Sequence, residues 1–215
     1  MINEKIAVGV PRKTYMVPEQ PRIQEITWQL KGFYDRVERL NGYGKHEAAT
    51  NKIIKQAIDN DFDWLIKIDT DMLPPDVGYI LDMLGSGCDL IYPVQMMNGN
   101  QIPVPVVFKM TGPHHYKVLP PPWKDWQEAD AVGSGMFCVR VDALKKIPHP
   151  WFELLFADEY GTEQLGADLK FCEKARQVGV QPMVYTVCSA GHVKNTELHL
   201  LSQQIQEILE KERGK

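Results

Sequence analysis

A basic surplus is the first thing this sequence lacks. Its 24 lysines and arginines are outnumbered by 28 aspartates and glutamates, a formal net charge of −4, which argues against a protein whose main business is gripping nucleic acid. It does not argue against a nucleotide held through a divalent cation, because the ion supplies positive charge locally. Long apolar runs are also missing. No stretch approaches the roughly 18–20 apolar residues of a membrane span, so none is expected. The opening residues MINEKIAVGV carry acidic and polar groups where a signal peptide needs basic and then apolar ones. Cysteine is scarce: Cys88, Cys138, Cys172 and Cys188 show no CxxC or CxxH spacing, so a zinc site is not expected. They fall mostly in apolar stretches, which suits buried thiols in a reducing compartment. Together these absences predict a cytoplasmic protein. Internal repeats, low-complexity segments and domain-scale linkers are absent too, and 215 residues with 44% hydrophobic content suffice for one sizeable core.

What the chain does contain is an alternation of short apolar runs with helical periodicity, the pattern of an α/β layer fold. Ile6 to Val10 reads as a buried strand stopping at Pro11. Ile23, Ile26 and Leu30 recur at helical spacing, and residues 46–59 form a clearer amphipathic helix with Ala49, Ile53 and Ala57 on one stripe. Trp64 to Ile68 reads as a central strand. Pro74-Pro75 favours a helix starting just after, over about 75–84. Residues 88–141 carry many prolines and β-rich pieces at 90–94, 105–109 and 136–141, with a loop around Pro120-Pro121-Pro122. Helices are predicted again at 163–178 and 195–211, separated by a strand at 183–187. The expectation is one mixed central sheet flanked by helices.

The most informative words are Ile68-Asp69-Thr70-Asp71 followed by Leu73-Pro74-Pro75. Two carboxylates one residue apart sit where a buried strand emerges, and open α/β sheets bind ligands at the carboxyl ends of their strands. Such hard oxygen donors suit Mg²⁺ or Mn²⁺, which can bridge two phosphates. The alternative is an Asp-rich turn capping the next helix. A strand ending in DxD also opens phosphatases of the haloacid dehalogenase kind, with the first Asp as nucleophile. That motif carries Thr or Val two residues after the second Asp, where Leu73 stands here, and no later Asp-Asp pair follows.

The segment Lys45 to Pro75 resembles the donor-binding core of GT-A-fold glycosyltransferases, in which a helix bearing an Arg-Asn-like pair precedes an Asp-x-Asp strand end. Asn51 matches the second of that pair, and Thr50 stands where Arg is usual. Further motifs resemble the family in the same order: Val132-Gly133-Ser134-Gly135-Met136-Phe137, a Gly-rich strand entry near the transferring sugar; Pro150-Trp151-Phe152-Glu153, an acceptor-side loop; Gly166-Ala167-Asp168, usually Gly-Glu-Asp; and Ser189-Ala190-Gly191-His192-Val193, where many such enzymes place a further metal ligand. Residue by residue, the glycines also read as a turn into a strand and Asp168 also as a helix cap.

The resemblance implies a single GT-A-like (Rossmann-like) domain over 1–215, with a donor half at 1–100, an acceptor half at 101–195 and a C-terminal helix at 196–215. It implies a glycosyltransferase using a UDP- or GDP-sugar, Mn²⁺ or Mg²⁺ held by Asp71 and His192, and Asp69 on the ribose or on the metal through water. Val10, Pro11, Arg12 and Lys13 would flank the nucleotide, with Asn51, Thr70, Gly133, Ser134 and Gly135 completing the donor site. Asp168 would be the base taking the acceptor proton, with Asp158, Glu159 and Glu163 as substitutes. The acceptor would be a glycan, a modified base or a small molecule, met by Trp123, Trp126, Trp151, His114 and His115, each of which also reads singly as packing or loop surface. A catalytically silent nucleotide- or sugar-binding module is the alternative that Thr50 and Ala167 support. A nucleotidylyltransferase is a further one, against which stands the lack of a Gly-rich basic loop near residue 10.

Overall fold

Five consecutive residues without solvent contact, Trp64 to Ile68, form β3 (Trp64–Ile68), and a strand buried on both faces needs cover on both sides. The computed structural model describes residues 2–12, 19–98, 103–156 and 164–193. The predicted helix at 195–211, Lys13, Asp158, Glu159 and Glu163 lie outside them. β3 pairs in parallel with β1 (Ile2–Arg12) and antiparallel with β11 (Met136–Arg140). Beyond β1 lies β2 (Tyr34–Tyr43); beyond β11 come β5 (Leu90–Asn98), β14 (Pro182–His192) and the two-residue β4 (Met72–Leu73). β11 runs against its neighbours, while β2, β1, β3, β5 and β14 share one direction. β6 (Pro103–Pro105) and β9 (Trp126–Glu128) pair with β5 and β14. β7 (Val107–Gly112), β8 (His115–Val118) and β10 (Ala131–Val132) form a small second sheet, and β12 (Leu155–Phe156) pairs with β13 (Gln164–Leu165).

Alternation along the strands sorts side chains into two cores. Ile6, Val8 and Val10 of β1 and Ile66 and Ile68 of β3 pack with α1 (Pro21–Leu30) and α3 (Val77–Gly85). On the other face Ala7 and Leu65 join Ile53 and Ile54 of α2 (His46–Asp59), Leu144 of α4 (Val141–Lys146) and Phe171 of α5 (Ala167–Gln177). Lys67 alternates onto this second face and is completely buried. The fold is the mixed sheet flanked by helices that the sequence leads one to expect.

Several boundaries differ. Nothing in the sequence pattern predicts β2, because its buried residues Tyr34, Val37 and Leu40 recur every third position between charged ones, a spacing unlike a strand's period of two. β1 continues through Pro11 because it still pairs there with β2, at Gly42, after its ladder with β3 has ended at Gly9. The proline's missing N–H is therefore not demanded by both neighbours. The strand expected to reach Val141 ends at Arg140, and α4 begins at Val141. The helix expected from 163 starts at Ala167, and β14 runs five residues past Val187 to His192.

β2 and α2 touch closely at Gly42, where an added Cβ would lie 2.0 Å from the backbone oxygen of Ala49. Backbone cannot yield as a side chain does, so Gly42→Ala is expected to cost about 2–3 kcal/mol in urea unfolding. Gly78→Ala, in α3 with open space around its Cβ, is expected to gain about 0.5–1 kcal/mol.

Candidate functional site

The chain leaves β3 in a turn closed by the Met72 N–H donating to the Asp69 carbonyl at 3.0 Å. Asp69, Thr70 and Asp71 therefore occupy a tight β-turn, for whose first position Asp is a favoured residue. They do not cap the next helix, since the cap of α3 is Asp76. The turn is tied down on three sides. The Asp69 N–H donates to the Gly135 carbonyl at 2.8 Å, the Gln20 N–H donates to the Thr70 carbonyl at 3.1 Å, and the Val193 N–H donates to the Asp71 carbonyl at 2.8 Å.

That last bond extends a short antiparallel ladder in which His192 pairs with Met72 and Gly191 with Leu73. The ladder delivers His192 to Asp71, with Nε2 2.9 Å from Oδ2. Both side chains stay partly exposed, at 27% and 36%. This pair unites two of the three residues expected at a metal.

Asp69 is arranged differently. Its Oδ1 lies 2.7 Å from the ammonium of Lys67 and 3.7 Å from Nδ1 of His46. Lys67 also donates to the Ser134 carbonyl, and its ammonium stands 5.9 Å from the centre of the Phe137 ring. Among the described residues, no three His, Cys, Asp or Glu side chains converge as a metal-binding group. Asp69 thus stands apart from the Asp71–His192 pair, with its Oδ1 engaged by a buried cation.

Asp168 stands in the first turn of α5, past the cap residue Gly166, with Oδ1 accepting from the Leu169 N–H at 3.0 Å. A Cβ on Gly166 would lie 2.1 Å from that carboxylate oxygen, so the glycine makes room for it. Burial raises the Asp168 carboxyl above its ordinary value, opposed by backbone N–H groups and by the positive charge of His46 and Lys67. His46, at the start of α2, is shifted down by burial and then by Lys67, with Asp69 and Asp168 acting the other way. An aromatic cluster supports these groups: Phe152 stacks on Phe171 at 4.6 Å and on Phe137 at 6.0 Å, and meets the edge of His46 at 6.4 Å.

The remaining expected donor-site residues take other partners. Asn51 donates to the Phe152 carbonyl at 2.8 Å and accepts from the Phe152 N–H at 2.9 Å. Its amide clips the loop before β12 onto α2, at the edge of a pocket that Trp151 also lines. Gly133 and Gly135 lack side chains for packing reasons, since a Cβ would come 2.5 Å from Val106 and 2.7 Å from Gln95 respectively. The buried Gln95 amide holds the Gly133 and Met136 carbonyls and the Met136 N–H. Val10 is buried in the first core, and Arg12 binds Asn41 at 3.0 Å and Glu19 at 2.7 Å. Glu19 pairs with Arg39 as well, and burial followed by repulsion from Arg12 lowers the Arg39 guanidinium. Of the tryptophans expected at an acceptor groove, Trp126 stacks on Tyr185 at 4.4 Å, Trp123 donates to the Leu119 carbonyl, and Trp151 donates to the Leu144 carbonyl while lining a pocket with Asn51, Lys55 and Pro150. His114 sits in the β7–β8 turn, 3.6 Å from Glu173.

Sequence reasoning passed over Lys67, His46, Gln95 and Glu19. For Lys67 the signal was present: a lone lysine inside an apolar strand is rarely buried unless it is paired.

The sequence matches no protein-family model and no curated protein. Its fold does match solved structures. Over 89% of this chain and 86% of the other, A197 from STIV superposes with a TM-score of 0.53 at 16% identity. GalNAc-T7, solved with UDP, GalNAc and Mn²⁺, superposes with a TM-score of 0.55 at 10% identity over 91% of this chain and 45% of its own. The chain thus spans less than half the length of GalNAc-T7. At these identities the likeness establishes a GT-A-like fold, the one adopted by nucleotide-sugar glycosyltransferases. No helix among the described residues is long and apolar enough to cross a membrane.

If Asn51 serves as a clip, Asn51→Ala loses two hydrogen bonds and is expected to cost about 1–2 kcal/mol in urea unfolding, leaving nucleotide affinity of the folded protein unchanged.

Proposed function

We propose that this chain is a metal-dependent glycosyltransferase that transfers a sugar from a nucleoside-diphosphate sugar to an acceptor hydroxyl. The observation that carries the reading is the Asp71–His192 pair, 2.9 Å apart and partly exposed, with Asp71 just past the carboxyl end of β3 and His192 at that of β14. A hard carboxylate beside an imidazole suits Mn²⁺ or Mg²⁺, with positions left for water and phosphate. When bound there, the ion supplies Lewis-acid stabilisation of the departing nucleoside diphosphate. GalNAc-T7 has the same fold and was solved with UDP and Mn²⁺, which supports a UDP-sugar as the first donor to test.

The chain's own residues would do the rest. Asp71 and His192 orient the diphosphate end of the donor. Asp168, within electrostatic reach of His46 and Lys67, would accept the proton of the acceptor hydroxyl as that oxygen attacks the anomeric carbon. Half-burial excludes water from one side of its carboxylate and raises its proton affinity, which suits a base, while the helix N-terminus keeps the anion stabilised. A glycan, a modified base or a small molecule would supply the hydroxyl. A binder without turnover is the second reading; it draws on Ala167, whose buried methyl stands where the family's motif has a carboxylate.

Calorimetric titration of UDP and GDP tests the site. Binding of one of them is expected to need Mn²⁺ and to vanish in Asp71→Ala; no binding of either, with or without metal, would contradict the reading. Asp168→Asn is expected to keep that binding and to lower transfer or donor hydrolysis by about 10²–10⁴. Because a base acts only when ionised, turnover in the wild type should fall as pH drops through the raised Asp168 value. Unchanged turnover in Asp168→Asn would remove this residue from the mechanism, and binding with no turnover at all would favour the silent module.

A further inference from the structure

From the geometry we infer that Lys67 is a positioning residue that withholds Asp69 from the metal, leaving Asp71 and His192 to hold the ion. The inference rests on the metal-site reading above and narrows it. Lys67 has no solvent contact, and its ammonium has two oxygen partners, Asp69 Oδ1 at 2.7 Å and the Ser134 carbonyl. A buried ammonium without a counter-charge is strongly unfavourable, so the pair is not readily given up. The same Asp69 oxygen faces His46 at 3.7 Å. Asp71 meanwhile is joined to His192 at 2.9 Å, and Asp69 forms no three-group cluster with them.

The carboxylate pair of the sequence is therefore divided between two cations, one built into the chain and one to be recruited. Lys67 and Asp69 together contribute no net charge to the site. Loss of Lys67 alone would make the site more negative by one charge and release Asp69. Loss of Lys67 and Asp69 together leaves the charge unchanged, and replacing a buried ion pair by neutral groups of similar size is often tolerated.

Mn²⁺ titrations of the wild type, Lys67→Met and the double variant Lys67→Met/Asp69→Asn separate the possibilities, with inner-sphere waters counted by ¹⁷O relaxation. The double variant is expected to bind Mn²⁺ within about threefold of the wild type, and Lys67→Met about tenfold or more tightly with one water fewer. A merely structural lysine would not change the water count. A drop of about thirtyfold or more in the folded double variant would overturn the inference, because Asp69 would then be a ligand. The wild type is informative too: about four retained waters of six fit two protein ligands, and three in the wild type rising to four in the double variant would place Asp69 on the ion. A wild-type protein that takes up no Mn²⁺ would overturn both this inference and the metal-site reading. Mn²⁺ bound through Asp69 would overturn this one alone.

Discussion

A lysine ammonium with no access to water has to be paired, and in this chain that requirement organises the end of the sheet. Lys67 reaches Asp69 and the Ser134 carbonyl at once, so it links the β3–β4 turn to the glycine loop entering β11. The Asp69 N–H to Gly135 bond closes the same link from the backbone side. Gln95 then fixes the glycine loop from the other strand, using its whole amide. None of these groups could be left unmet in the interior without a cost of about 1–3 kcal/mol each. The turn bearing Asp69 and Asp71 is held by the core rather than by a ligand.

From that anchored turn the other elements inherit their positions. β4 is only two residues long, yet its ladder with β14 is enough to bring His192 to Asp71 across 121 residues of chain. α2 contributes His46 at its first turn, and α5 contributes Asp168 at its own. The stacked Phe137, Phe152 and Phe171 set how closely α5 and the Trp151–Phe152 loop approach the sheet. Asn51 and Lys174 pin that loop through backbone groups of Phe152 and Pro150. The polar groups with chemistry thus lie where rigid elements end, an arrangement suited to positioning reacting groups.

Much of this architecture could be read from the residues. β3 and α2 have the expected boundaries because their signals are local: an unbroken apolar run in one, a helical stripe in the other. β2 was not legible, since its burial every third residue comes from an edge strand lying partly against α1 and α2, which a single segment does not reveal. That Asp71 and His192 come together was legible from motif order. What Asp69, Asn51, Gly133 and Gly135 do was not, because each answers to a partner distant in sequence or on another strand: Lys67 and the Gly135 carbonyl, Phe152, Val106, Gln95. A motif shows that a residue stands near a site; it does not show which neighbour has already claimed its side chain.

The most direct measurement is paramagnetic broadening of backbone amide signals by Mn²⁺ added to isotope-labelled protein in the presence of UDP. Broadening is expected to centre on Thr70, Asp71, Gly191 and His192 and to fade along β3 and β14 towards their far ends. Broadening centred elsewhere, or none at any amide, would contradict the claim that this turn and the end of β14 form the metal and nucleotide site.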